Sequence, residues 1–191
     1  MRTSALCVVL LFGLCARPAV ASTIVSIDPV VSTVAPNGSF VLDIDIKNVS
    51  DLFGFQFDLI YNPALLMANE IVEGSFFAST GDSFFIPGLI DNVAGNIMFT
   101  ADTLEGEVPG VSGDGTLAQV SFTALSPGTS TVNVDPSTVI LLDSAFNELT
   151  ATTEGATVNA VAAVPEPTTL VLLGTGVVAV WRSRRKRSPI A

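Results

Sequence analysis

Apolar and polar residues alternate with a period of two along the middle of the chain. The clearest alternation lies at residues 40–46, 55–61, 97–101 and 118–122, where every second residue is apolar. This period predicts strands with one face against a core and the other toward water. The apolar positions of these runs are Phe40, Leu42, Ile44, Ile46, Phe55, Phe57, Leu59, Tyr61, Ile97, Phe99, Ala101, Ala118, Val120 and Phe122.

Turn-forming residues separate these alternating runs. Pro36-Asn37-Gly38, Asn62-Pro63 and Pro127-Gly128 are examples. Short strands with such spacing predict an all-β antiparallel sandwich or jelly roll. We expect Thr23–Ile27 and Thr157–Asn159 to be the first and last strands, with a helical turn only at Pro63–Ala68.

The N-terminus has the pattern of a secretory signal peptide. Arg2 precedes an apolar run of about 12 residues, and Ala19-Val20-Ala21 provides a small-residue cleavage site. We therefore assign residues 1–21 to a signal helix that is cleaved between Ala21 and Ser22. The alternative is a buried N-terminal helix.

Thiol and imidazole chemistry is excluded from the mature protein. Both cysteines, Cys7 and Cys15, lie in the signal segment, and the sequence has no histidine. Disulfides, Ser-His-Asp and Cys-His nucleophiles, and zinc-type sites are therefore not expected. A pair of carboxylates could hydrolyse a glycoside, but in so acidic a domain such a pair has little specificity. We predict no enzymatic activity and no catalytic residues.

The mature domain is strongly acidic. Residues 22–181 contain all 18 Asp and Glu residues and a single basic residue, Lys47, which gives a net charge of −17. Phosphate binding requires Lys and Arg, so the sequence predicts no nucleic-acid partner. We expect no cofactor, although Asp102, Glu105 and Glu107, together with Asp114 and Asp143 in predicted turns, leave a structural calcium ion open.

The C-terminus has three consecutive parts that do not belong to the domain. Residues 160–169 form a linker that contains Pro165, Glu166 and Pro167, residues 170–181 are apolar, and residues 182–191 are basic. The basic residues are Arg182, Arg184, Arg185, Lys186 and Arg187. Twelve helical residues span about 18 Å of a roughly 30 Å hydrocarbon core, which favours a short, temporary transmembrane helix with a cytoplasmic basic end.

This order of segments resembles the PEP-CTERM sorting signal of Gram-negative bacteria. The resemblance implies that an exosortase recognises Pro165-Glu166-Pro167 and removes the tail. The protein would then cross the inner membrane, be anchored there transiently, and reach the cell surface or extracellular matrix. The alternative is a plain C-terminal membrane anchor.

Residues 22–159 resemble a cohesin domain in three segments. These segments are Gly54–Pro63 with the preceding Asn48-Val49-Ser50, Gly110–Phe122, and Val139–Ser144. The resemblance implies a nine-stranded jelly-roll sandwich and non-catalytic binding of a dockerin module. In cellulosomes such pairs assemble polysaccharide-degrading enzymes.

The resemblance also implies where a partner binds. The outward positions of the strand at 54–61 are Gly54, Gln56, Asp58 and Ile60. Dockerin-binding cohesins often carry Asn and Asp at the positions of Gly54 and Gln56. Here Gly54 offers no side chain, whereas Gln56 can still donate and accept hydrogen bonds.

Two other functions stay open at this stage. Related sandwiches bind carbohydrate, which leaves open a module that binds the polysaccharide of an extracellular matrix through Phe53, Phe76, Phe77, Phe84 or Phe85. Paired Phe residues more often pack in cores or loops. The third hypothesis is a purely structural matrix protein. For a binding module, a matrix protein is the alternative partner to a dockerin-bearing one.

Overall fold

A computed structural model describes residues 22–78, 82–162 and 182 of the chain. Almost all of its regular structure is β-strand. The first elements are β1 (Thr23–Asp28), β2 (Val31–Val34), β3 (Ser39–Tyr61), β4 (Leu66–Glu73), α1 (Ser75–Ala78) and β5 (Ser83–Ile86). The others are β6 (Leu89–Asp91), β7 (Asn96–Leu104), β8 (Val111–Ala124), β9 (Gly128–Val134), β10 (Ile140–Asp143), β11 (Ala151–Glu154) and β12 (Ala156–Ala160).

The 23-residue strand β3 passes through both layers of a β-sandwich. Its first half pairs with β1 and β8, and β8 also pairs with β4. Its second half pairs with β7 on one side and with β10 and β9 on the other, while β5 and β6 extend the layer beyond β7. One strand therefore fixes the position of each layer relative to the other.

Two residues with left-handed backbone turn β3 from one layer into the next. Asn48 has a φ of 55° and Asp51 a φ of 59°, a region that Asn and Asp tolerate better than other side chains. The Asn48 amide donates to the Asp114 carboxylate over 2.7 Å. The Asp51 carboxylate accepts hydrogen bonds from the Gly110 amide at 2.9 Å and the Ser144 hydroxyl at 2.7 Å. Polar side chains thus hold the bend against β8 and the end of β10.

The core lies between the two layers and confirms most of the predicted alternation. Leu42, Ile44 and Ile46 are fully buried in the first half of β3. All four residues predicted to be buried in the second half of β3 are buried, and so are the three predicted in β8. These residues are Phe55, Phe57, Leu59, Tyr61, Ala118, Val120 and Phe122.

The prediction for β7 is wrong beyond Ile97. Phe99 is 52% exposed, whereas Thr100 and Asp102 are buried. The reason is a β-bulge opposite Asp58, at which the pairing shifts register and Phe99 takes a φ of 59°. The Asp58 carboxylate accepts the Phe99 amide over 2.7 Å and so holds the bulge. One extra residue exchanges the inward and outward faces of the strand.

The all-β sandwich prediction is confirmed, with a different division into strands. Pro29, Pro87, Pro136 and Gly155 each lie between two consecutive segments, and β3 serves both layers. If the segments on either side of each break are counted as one strand, and β3 is counted once in each layer, the twelve described segments correspond to the nine predicted strands. The pairs β1–β11 and β12–β2 are parallel, so the sandwich is not purely antiparallel.

The helical turn predicted at Pro63–Ala68 is present only in its first part. The amides of Leu65 and Leu66 donate to the Asn62 carbonyl over 3.1 and 2.9 Å, and the chain then enters β4 at Leu66, where it pairs with β8. A short helix that the sequence did not predict, α1, buries Phe76 and Phe77. An apolar pair that packs into the core therefore determines the local structure there.

Both ends of the described domain are paired. β1 contacts β11, β12 contacts β2 and β9, and the Val161 amide donates to the Val34 carbonyl over 2.9 Å. Residues 22–162 therefore contain every strand that closes their core, and we expect this segment to fold alone. The predicted signal helix at 1–21 and transmembrane helix at 170–181 lie outside the described residues. Within the described part of the chain, no helix has the length and apolarity to cross a membrane.

Candidate protein-binding face

Two rows of outward side chains cross the layer β10–β3–β7–β5. The first row consists, from β10 to β5, of the paired residues Ile140, Gln56, Ala101 and Ile86. In the second row the order is Leu142, Gly54, Thr103 and Phe84. Seven of these eight positions have side chains, and Gly54 leaves a gap in the centre of the second row. The strand pairing thus brings Gly54 and Gln56 together with residues that are distant in sequence.

These rows line a groove of about 290 Å³. We use "the groove" for this space, whose walls include Gly54, Gln56, Phe84, Ile86, Ile140 and Phe146. Gln56 and Thr103 supply its polar side chains, and the remaining walls are largely apolar. An apolar, open groove on an otherwise acidic surface is typical of an interaction site.

Phe146 forms one end of the groove and is held by a tight turn. It is 69% exposed and has a φ of 62°, which is strained for a side chain of this size. The Asp143 carboxylate accepts hydrogen bonds from the amides of Ala145 and Asn147 and from the Asn147 side chain, at 2.8–3.2 Å. These bonds lower the pKa of Asp143, with the Asn147 side chain contributing most. The turn therefore presents a fixed aromatic ring to solvent.

A second depression of about 410 Å³ adjoins the groove at Phe146 and Phe53. The two rings meet edge to face at 5.6 Å. Glu107 and Ser144 also line this depression. Glu107 is exposed and has no hydrogen bond within the described residues. A free carboxylate therefore lies in the depression that adjoins the apolar groove.

The structure separates Asp58 and Ile60 from the groove, although they share the outward face of β3. The Asp58 carboxylate holds the bulge at Phe99, and the Asp58 amide donates to the Thr138 hydroxyl over 2.9 Å. Ile60 is 46% exposed farther along the strand, where β3 pairs with β9. The predicted face is thus divided into a groove part, Gly54 and Gln56, and a structural part.

Sequence reasoning did not single out Ile86, Ile140, Leu142 or Phe146. Their signal is visible only in part: Ile140 and Leu142 lie in a segment that resembles a cohesin, and Asp143 with Asn147 is a turn signal. The predicted aromatic platform is mostly internal, since Phe76 and Phe77 are buried and Phe53 and Phe85 pack on the core. Only Phe84 of that set is well exposed.

A buried carboxyl group lies behind the groove. Asp102 is 3% exposed, and its Oδ2 has no hydrogen-bond partner within the described residues. Burial, followed by the negative charge of Glu73, raises the pKa of Asp102 to about 7. Glu73 itself accepts a hydrogen bond of 2.6 Å from the Ser83 hydroxyl. β4, β5 and β7 thus meet around two carboxyl groups, and the ionisation of one raises the free energy needed to ionise the other.

The acidic residues considered for calcium have different environments and roles in the structure. Asp102 is buried between the layers, Glu105 and Glu107 are exposed, and Asp114 accepts the Asn48 amide. Within residues 22–78 and 82–162, no group of three or more His, Cys, Asp or Glu residues is arranged to hold a metal ion. A structural calcium ion stays an untested hypothesis.

Solved structures of cohesins have the same fold. The sixth cohesin of scaffoldin B from Acetivibrio cellulolyticus, solved in complex with a Cel5 dockerin mutant, is 18% identical with a TM-score of 0.60, and the match covers 74% of this chain and 100% of that one. The solution structure of CaCohA2 from Clostridium acetobutylicum is 16% identical with a TM-score of 0.59, over 75% and 94% of the chains. A non-cellulosomal cohesin from Archaeoglobus fulgidus is 18% identical with a TM-score of 0.57, over 74% and 93%.

Family models match two parts of the chain. The PEP-CTERM protein-sorting motif matches residues 163–186, which indicates export and a destination at the cell surface or outside the cell. No curated protein matches the chain. The Cohesin domain matches residues 25–160, well over half of the chain. The chain therefore belongs to the cohesin domain family and carries a PEP-CTERM sorting motif.

Proposed function

We propose that this protein is a non-catalytic binding module that holds a dockerin-type partner against the outer face of β10–β3–β7–β5. The groove carries this proposal, because it places an apolar, solvent-open surface on an acidic domain. Cohesins of the same fold were solved in complex with dockerins. Gln56 supplies a hydrogen-bonding group beside the groove, and Phe146 supplies a fixed aromatic contact.

A polysaccharide ligand is the weaker candidate. Sugar platforms usually stack the ring on exposed Trp or Tyr, which also donate hydrogen bonds. Tyr61 is buried, and its hydroxyl donates to the Asn92 side chain over 2.8 Å. Phe84 and Phe146 offer stacking faces without a polar group. A matrix protein that lacks a dockerin remains the third candidate and is distinguished by the experiment below.

The test measures binding of residues 22–162 to each dockerin-bearing protein encoded by the same genome, by calorimetry. Ile140→Arg places a charge in the groove wall and should weaken binding at least tenfold. Val41→Arg is the matched control. Val41, like Ile140, is an exposed apolar residue, but it lies in the part of β3 that pairs with β8 in the other layer. Equal effects of the two variants, or no binding to any dockerin, would contradict the proposal. Retention on an insoluble polysaccharide would favour the carbohydrate alternative.

For the tail we propose processing by an exosortase in a Gram-negative bacterium, after a transient stay in the inner membrane. Pro165-Glu166-Pro167 would be the recognised motif, and Arg182–Arg187 would keep the end cytoplasmic. Glu166→Ala and a deletion of residues 182–187 should each leave a precursor that still carries the apolar segment at 170–181 and is therefore heavier than the processed protein. Mass spectrometry of membrane and secreted fractions measures this. Normal processing of both variants would refute this part of the proposal.

A further inference from the structure

The gap at Gly54 determines the chemistry of what the groove can hold. Gly54 has ordinary backbone geometry, and a Cβ there would lie 3.4 Å from the nearest atoms, the Asp102 carbonyl oxygen and the Thr103 hydroxyl oxygen. The backbone therefore does not require glycine at this position. Gly54 is buried at the floor of the groove, where the missing side chain leaves room between Leu142 and Thr103 in the second row.

The open space fits a large apolar side chain. The groove has a volume of about 290 Å³, which exceeds the roughly 150 Å³ of a protein cavity that accepts benzene. Its walls on either side of Gly54 are Ile140, Leu142 and Phe84. A polar side chain inserted there would lose its water in a space lined mainly by apolar side chains, which costs free energy. An aliphatic or aromatic side chain would lose nothing comparable.

The charge around the groove restricts the flanks of the partner. Residues 22–162 contain 17 carboxylates and one basic residue, Lys47. Lys47 pairs with Ile24 in β1, in the opposite layer. At the Phe146 end, Glu107 has a free carboxylate, and Asp143 is kept ionised by the hydrogen bonds of its turn. Lys or Arg on the partner would match this end and would speed association.

We propose that the groove selects a partner segment with one large apolar side chain inserted over Gly54 and Lys or Arg placed toward Glu107. This inference rests on the proposed function, and it assigns Gly54 and Glu107 as the residues that determine specificity. Gly54 acts by the absence of a side chain. Glu107 acts by charge at the end of the groove where Phe53 and Phe146 meet.

The test uses a displayed library of a small helical scaffold whose surface positions are randomised. The bait is residues 22–162, and binders are kept only if Ile140→Arg abolishes their binding. We expect binders with a central Leu, Ile, Met, Phe or Trp and with flanking Lys or Arg. Gly54→Asn should weaken the selected binders by about 30-fold or more, the loss typical of an anchor residue. Thermal unfolding verifies that this variant is folded.

Glu107 is tested with the same binders. Glu107→Gln should reduce the association rate and flatten its dependence on salt, and Glu107→Lys should shift a repeated selection toward acidic flanks. Glu154→Gln is the matched control, because Glu154 is an exposed glutamate in β11, which pairs with β1 in the other layer. Equal effects of Glu107→Gln and Glu154→Gln would contradict the assigned role of Glu107.

Three outcomes would overturn the inference. They are binders with polar central residues, binders that tolerate Gly54→Asn, and an empty selection from a library that yields binders against a control protein. The proposed function fails separately. A natural dockerin that occupies the groove and tolerates Gly54→Asn contradicts only the inference, whereas apolar library binders without any dockerin binding contradict only the proposed function.

Discussion

Replacing Asp102 by Asn should stabilise the protein at alkaline pH and have little effect at acidic pH. The pKa of Asp102 is about 7 in the folded protein and 3.8 in its ordinary state. The folded state therefore holds a proton between about pH 4 and pH 7 that the unfolded chain has released, so stability falls as pH rises through this interval. At about 1.4 kcal/mol per pH unit the full loss is roughly 4 kcal/mol. Solvent screening from the groove side reduces the expected value to about 2–3 kcal/mol.

The assay is urea unfolding of residues 22–162 and of Asp102→Asn at pH 4.5 and pH 8. With a slope of about 2 kcal/mol per molar urea, the variant should unfold at about 1 M more urea than the parent at pH 8. At pH 4.5 the two midpoints should nearly coincide, because Asp102 is then protonated in the parent. Glu107→Gln serves as a control at an exposed carboxylate. A midpoint difference that is the same at both pH values would refute the reasoning.

Two further predictions concern positions where the backbone or a turn is tightly held. Gly74→Ala should lower the free energy of unfolding in urea by at least about 2 kcal/mol, because the added Cβ would clash with the Thr116 carbonyl oxygen. Gly54→Ala, where the Cβ has room, should be close to neutral, and equal stability of both variants would contradict this reasoning. Asp143→Ala should release the turn that presents Phe146 and weaken partner binding in calorimetry with little change in melting temperature. Because the pKa of Asp143 is lowered, the turn should also loosen as pH falls below about 4, and retained affinity in the variant would count against this role.

The regular alternation explains how much of the fold could be predicted. A strand with every second residue apolar has one way to bury its apolar face, so the burial of Leu42, Ile44, Phe57 and Val120 followed from sequence. The bulge at Phe99 did not follow, because its cause is the Asp58 carboxylate on another strand. A pattern read along one segment cannot show a hydrogen bond from a neighbouring one.

The groove was even less predictable for the same reason. Gln56 and Gly54 were identified on one strand, but their neighbours come from β7, β10 and β5, and the strand register decides which of those side chains align. Phe146 has no periodic signal, since a turn held by Asp143 positions it. Sequence thus located one strand of the site and the structure supplied the other three.

The strand that closes the sandwich has a consequence for the order of events during export. β12 ends at Ala160, immediately before the sorting motif matched at 163–186, and it pairs with both β9 and β2. The core is therefore incomplete until nearly the whole domain has been translocated. Sheets whose strands are distant in sequence form slowly, and unpaired strands stay exposed until folding is complete. Under the processing proposed above, retention by the tail would keep each chain apart from other incompletely folded chains, and cleavage after folding would release a domain whose sheets are already closed.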